Sequence, residues 1–121
     1  MIRLIEGLPD NVLGFEAVGK VQEDDYKSVL DPAIDAALEN RDKIRFLYLL
    51  GNEFTGYSGG AMWEDTKVGV SDWTKFEKIA LVTDHKGYRD GANAVGWLIP
   101  GGFKTFSVAD LALAEAWVAA E

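Results

Sequence analysis

Residues 45–63 read R-F-L-Y-L-L-G-N-E-F-T-G-Y-S-G-G-A-M-W, and the reading of this stretch decides the fold. Phe46 to Leu50 is apolar throughout, the composition of a strand covered on both faces of a parallel sheet. From Gly51 the chain reads as a loop dense in glycine and aromatic residues, and Ala61 to Val70 as a weakly periodic helix. In an open α/β sheet, binding sites are built at the carboxyl ends of central strands. The apolar strand is therefore placed in the middle, and the junction after it becomes the first candidate for function.

Upstream, Ile2 to Glu6 reads as a short strand and Gly7-Leu8-Pro9-Asp10-Asn11 as a turn. In Val12 to Val21, Leu13, Phe15, Ala17 and Val21 share one face and Glu16 and Lys20 the other. That period of two makes a half-exposed strand and completes an N-terminal hairpin. Tyr26, Val29, Leu30, Ala33, Ile34, Ala37 and Leu38 follow the helical template i, i+3, i+4, i+7. Glu23, Asp24 and Asp25 stand where the helix dipole favours negative charge, and one aspartate serves as a cap. Pro32 inside this pattern predicts a kink, because proline has no N–H to donate.

Downstream, Ser71 to Thr74 reads as a capped turn and Ile79 to Thr83 as a second fully apolar strand. Tyr88, Ala92, Val95 and Leu98 mark a third helix, stopped by Pro100-Gly101-Gly102. Phe103 to Phe106 is a last strand. Ser107 with Asp110 reads as a capping box opening a final helix, whose stripe is Leu111, Ala114, Trp117 and Val118. The order β-β-α-β-α-β-α-β-α implies an α/β fold with a mixed, mostly parallel sheet, right-handed crossovers and the N-terminal hairpin at its edge.

At 121 residues the chain is long enough for one domain that buries roughly two-thirds of its unfolded surface. With no cysteine, disulfides, zinc-thiolate sites and cysteine nucleophiles are excluded, which fits a cytoplasmic setting. The net charge of −8, from 12 basic and 20 acidic side chains, repels phosphate backbones and argues against nucleic acid as a partner. Ile2-Arg3-Leu4-Ile5-Glu6 has neither the basic start nor the apolar length of a signal peptide. No apolar window approaches membrane-spanning length.

The wording of the chain resembles the SpoIIAA-like bacterial proteins, whose fold is related to the STAS domain of anti-sigma-factor antagonists and to the CRAL-TRIO lipid-carrier domain. The stretches that carry the likeness are G-L-P-D-N-V at 7–12, G-K-V-Q-E-D-D-Y at 19–26 and K-I-R-F-L-Y at 43–48. G-N-E-F-T-G-Y-S-G-G-A-M-W-E-D at 51–65, F-E-K-I-A-L-V-T-D at 76–84 and A-x-x-W at 114–117 continue it over the whole chain. The resemblance implies a non-catalytic binding or regulatory module without a cofactor, or, through the CRAL-TRIO relation, a carrier of a small apolar ligand. In the anti-sigma-factor antagonists a serine in a D-S-G-like turn after the central strand is phosphorylated, releasing the partner. The matching position is Ser58, followed by Gly59, with Tyr57 where that pattern has an acidic or polar residue. Ser58 is thus a candidate phosphorylation site, while the plainer and favoured reading makes it the N-cap of the second helix.

Three site readings follow from the residues themselves. Gly56-Tyr57-Ser58-Gly59-Gly60 matches the G-x-S-x-G of the hydrolase nucleophile elbow, and Asp84 and His85 follow in the hydrolase order. Against it, the loop from Gly51 to Thr55 separates strand from motif, and adjacent Asp84 and His85 are poorly disposed for one to orient the other. Glu53, Asp84 and His85 carry metal-ligating groups but no spacing motif, and Gly51 to Gly56 lacks the lysine and hydroxyl residue of a phosphate loop. Third, Phe54, Tyr57, Met62, Trp63, Trp73, Tyr88 and Trp97 come from segments expected near one edge. With Ser58, Asp84 and His85 beside them, they outline a groove for a protein partner or a small apolar ligand. The bland reading makes the rings core residues and His85 a loop residue with one hydrogen bond. Leftover edge strands and apolar helix faces also suit a homodimer.

Overall fold

Five strands form one sheet in the order β1-β2-β3-β4-β5, so the run around Phe46–Leu50 does lie in the middle. In the computed structural model, which describes residues 1–59, 75–96 and 102–120, the strands are β1 (Ile2–Leu4), β2 (Val12–Val21), β3 (Ile44–Tyr57), β4 (Phe76–Thr83) and β5 (Phe103–Phe106). β1 and β2 pair antiparallel as the expected hairpin, and β2-β3, β3-β4 and β4-β5 pair parallel. Neighbours in the chain are neighbours in the sheet, so no reversal of strand order opens the crevice that doubly wound sheets use for ligands. The expected helix Ala61–Val70 and turn Ser71–Thr74 lie outside the described residues, as do Met62, Trp63, Trp73, Trp97 and Leu98.

The first helical region departs from a simple kink. Its parts are α1 (Glu23–Asp25), a π-helical turn (Tyr26–Leu30) and α2 (Asp31–Asn40). Asp31 N–H donates to the Tyr26 carbonyl, a widened i to i−5 bond. The wide turn puts Pro32 in the first turn of a restarted helix, where its missing N–H has no intrahelical partner to lose. At the start, Gln22 rather than an aspartate is the N-cap, and Asp25 at the third helical position accepts the Gln22 N–H at 2.7 Å, the reciprocal bond of a capping box.

Two apolar layers cover the sheet. On one face Phe15, Ala17, Val21, Phe46, Tyr48 and Leu50 pack with Tyr26, Leu30 and Ile34 of the first helical region. Tyr88 and Ala92 of α3 (Lys86–Val95) join that layer. On the other face Val12, Leu47, Leu49, Ala80 and Val82 meet Ala114 and Val118 of α4 (Leu111–Ala119). Alternation along β3 thus sends each successive side chain to a different layer, as a strand buried on both faces requires.

The end of α4 is tied to the sheet by cations. Arg45, only 8% exposed, donates to the carbonyls of Val118 at 3.0 Å and of Ala120, and pairs with Glu77 at 2.5 Å. Lys78 Nζ donates to Trp117 O at 3.0 Å and Ala120 O at 2.7 Å, and lies 5.0 Å from the Trp117 ring centroid. The last carbonyls of a helix lack intrahelical partners and carry partial negative charge, so two cations there satisfy both needs. Among the described residues no helix is long and apolar enough to cross a membrane.

Candidate functional site

The segment read as a loop, Gly51 onward, is strand: β3 continues to Tyr57. Its composition favours a turn, but pairing to β2 decides otherwise, with Gly19 opposite Phe54, Lys20 opposite Gly56 and Val21 opposite Tyr57. Ser58 N–H donates to Val21 O at 2.8 Å and closes the ladder. On the other side, pairing with β4 stops at Leu50 opposite Thr83, so β3 projects past its neighbour.

The extension is not regular. Register shifts fall between Ala17 and Gly19 and between Gly19 and Lys20, where β3 carries more residues than β2. In a regular strand Phe54 and Tyr57, three apart, would face opposite layers. The extra residue between them, with Gly56 at φ 139, where only glycine sits without strain, returns both rings to the same face. There they meet Tyr88 from the first turn of α3. Ring centroids lie 5.2 Å apart for Phe54–Tyr57, 5.6 Å for Phe54–Tyr88 and 5.5 Å for Tyr57–Tyr88, every pair edge-to-face. This is the geometry aromatic quadrupoles prefer. The three rings are half-buried, packed below on the core layer through Tyr26, whose ring is 6.5 Å from that of Tyr57.

His85 completes the rim at the end of β4. Its ring centroid is 4.4 Å from that of Tyr88, and its Nδ1 accepts the Tyr88 N–H at 3.3 Å, making it the N-cap of α3. Its own N–H donates to Oγ1 of buried Thr83 at 3.0 Å. Nδ1 is therefore the lone-pair nitrogen, and the exposed Nε2 carries the proton.

A family model described as SpoIIAA-like matches residues 12–119. The chain belongs to the SpoIIAA-like family. A solved structure bears this out: the crystal structure of an uncharacterised protein of the DUF3478 family with a SpoIIAA-like fold, from Shewanella loihica, is 28% identical with a TM-score of 0.77, over 98% of this chain and 92% of that one. No curated protein matches the chain.

Within this SpoIIAA-like fold the remaining candidate residues part company. Phe54, Tyr57, Tyr88 and His85 come together, with half-buried Ser58 following Tyr57 at the strand end. Asp84 does not join them: its Oδ1 accepts the Val108 N–H at 3.0 Å, at the head of the 3-10 turn (Val108–Asp110) before α4. It supplies the cap that the Ser107/Asp110 pattern predicts, because the Ser107 hydroxyl is turned instead to Asp110 Oδ2 at 3.1 Å.

The elbow reading fails on geometry, though not by the route the sequence suggests. The motif begins inside the strand, with no loop before it, but no described residue other than glycine has positive φ, so Ser58 lacks the strained turn of an elbow serine. His85 Nδ1, which a triad gives to the aspartate, is used by the Tyr88 N–H, and Asp84 points to Val108. Among the described residues no group of three His, Asp or Glu side chains is placed to hold a metal ion, so Glu53, Asp84 and His85 do not assemble one. Glu53 instead lies 3.6 Å from Arg3, which pairs with Glu16 at 2.9 Å.

Two features escaped the sequence reading. Sequence pattern alone gives Arg45 no role, and its burial under the end of α4 depends on a partner 73 residues away. The bulge at Thr55–Gly56 carried a signal, an isolated glycine amid β-forming residues, but loop and bulge share that signal.

Proposed function

We propose that this chain is a non-catalytic cytoplasmic binding module that meets a protein partner through the aromatic rim at the carboxyl ends of β3 and β4. The observation that supports this most is the bulge-built triangle of Phe54, Tyr57 and Tyr88, held on one face of a strand that projects beyond its neighbour. A bulge costs ladder pairing, and bulges concentrate where a side chain must be re-aimed. Half-exposed tyrosines with fixed packing are the side chains that anchor protein interfaces, since little conformational entropy is left to lose. Ser58 adjoins Tyr57, so a phosphate there would put about two negative charges on the rim and switch a partner off.

A cleft of about 70 Å³ lined by Asp10, Asn11, Val12, Ala37, Arg41 and Ile44 lies at the opposite end of the sheet. It falls well below the few hundred Å³ of a small-molecule site. Affinity capture from the source cells, with the wild-type chain and with Tyr88→Ala, tests the proposal. A protein held by the wild type and retained roughly tenfold less by the variant supports it, because one aromatic anchor is worth at least that. Equal capture by both sinks it. Native mass spectrometry of the purified chain tests the competing occupant: a stoichiometric small apolar molecule would make the module a carrier.

A further inference from the structure

The geometry points to a pH gate on the rim, operated by His85. This rests on the reading of the rim as a docking surface, and the test below uses the free chain, so gate and docking stand or fall separately.

His85 performs two tasks, and the first of them needs a neutral ring. Its Nδ1 lone pair caps α3 by accepting the Tyr88 N–H at 3.3 Å, and its ring packs on that of Tyr88, 4.4 Å between centroids. A protonated imidazole has two donors and no acceptor, so the cap bond is lost. It also sets a positive charge at a helix N-terminus, where the dipole favours a negative one. Imidazole is the side chain that makes this change between about pH 5 and pH 8. Carboxylate and hydroxyl caps keep an acceptor throughout that range, so the choice of histidine here is what introduces the sensitivity.

Among the described residues, the surrounding charges are already committed. Asp84 adjoins His85 and accepts from Val108 N–H at 3.0 Å, and Lys86 pairs with Asp90 at 2.6 Å. The Arg89 guanidinium donates to the Thr83 carbonyl, and from β4 the Thr83 hydroxyl oxygen faces the His85 N–H. From β3 the Tyr57 ring packs on Tyr88, 5.5 Å between centroids. Protonation therefore releases the first turn of α3, and with it Tyr88, whose ring is one of the three in the triangle. At acid pH the rim loses one ring while the sheet beneath it stays paired.

The gate is tested by amide hydrogen exchange of the free chain, followed by NMR at about pH 7.5 and about pH 5.5 and expressed as protection factors. His85 is the only histidine in the chain, so no second imidazole contributes to the response. The Tyr88 amide is expected to lose roughly tenfold in protection at the lower pH, the combined worth of a cap and a dipole reversal. The Ala114 amide in α4, remote from His85, is expected to hold. His85→Asn keeps a good cap that does not titrate and is expected to flatten the Tyr88 response. Equal Tyr88 protection at both pH values overturns the gate, as does a fall that persists in His85→Asn or is shared by Ala114.

Discussion

The tertiary contact between β3 and α3 can be measured through one ring pair. Phe54 and Tyr88 sit 5.6 Å apart at 65°, on separate elements, with Tyr57 completing the triangle. Replacing each by leucine keeps most of the apolar volume and removes the ring quadrupole. Each single change is expected to cost about 1–2 kcal/mol, from lost contact area and, for Tyr88, from lost packing on His85. The ring–ring term should appear as a coupling of about 0.5–1.5 kcal/mol, the double variant losing less than the sum of the singles. With a urea slope of about 2 kcal/mol per molar, a coupling of about 1 kcal/mol displaces the midpoint of the double variant by about 0.5 M from additivity. Phe54→Leu combined with Trp117→Leu, on the opposite face, serves as the control and should be additive to within about 0.3–0.5 kcal/mol. Additive behaviour of the Phe54/Tyr88 pair would refute the claim that the bulge brings these rings together.

Gly96→Ala and Gly91→Ala should have opposite signs. A Cβ on Gly96 would stand 2.6 Å from Phe103 Cδ1 and 3.0 Å from Phe103 Cβ, and the clash should cost about 1–3 kcal/mol in thermal melts. A Cβ on Gly91, inside α3, meets nothing within 4 Å and should stabilise by about 0.5–1 kcal/mol. Arg45→Met keeps the apolar stem but leaves the Val118 carbonyl without its donor and Ala120 with Lys78 alone. A loss of about 2–4 kcal/mol in urea unfolding is expected, with faster amide exchange at the end of α4. For Lys86, first the hydrogen bond to Asp90 and then the charge of that carboxylate raise the ammonium pKa above its usual 10.5. A raised folded-state value gives a contribution present below the ordinary lysine pKa and lost as pH climbs through the raised one. Lys86→Met should therefore lower α3 helicity slightly at neutral pH, to the level the wild type reaches at alkaline pH, and flatten the alkaline fall, both read by circular dichroism.

The central position of β3 was legible because five consecutive apolar side chains have no face to turn to water, whichever element they form. The hairpin and the helix stripes were legible because periods of two and 3.6 are written in side chains that stay near their own backbone. What the sequence hid is what depends on distant backbone. Gly51 to Tyr57 has turn composition, and only the offered edge of β2 makes it strand. Asp84 read as a rim acid because it ends β4, yet the head of the turn before α4, 24 residues on, claims its carboxylate. Ser107 and Asp110 have the capping-box spacing, and the hydroxyl still turns to the carboxylate. Local pattern identifies a residue able to cap without saying which end it will cap. For the rim, the aromatic residues were legible as a set, but their convergence depended on one inserted residue in β3.

Strand order has a consequence for assembly. Because β2, β3, β4 and β5 are laid side by side in the order of synthesis, each arriving strand finds its mate already waiting, although each parallel pairing must first close its crossover connection. The late arrival is α4, whose Ala114 and Val118 shield Leu47, Leu49, Ala80 and Val82. Among the described residues it is α4, made after every strand, that covers this greasy side, and Arg45 and Lys78 stand on it as two latches for the end of that helix.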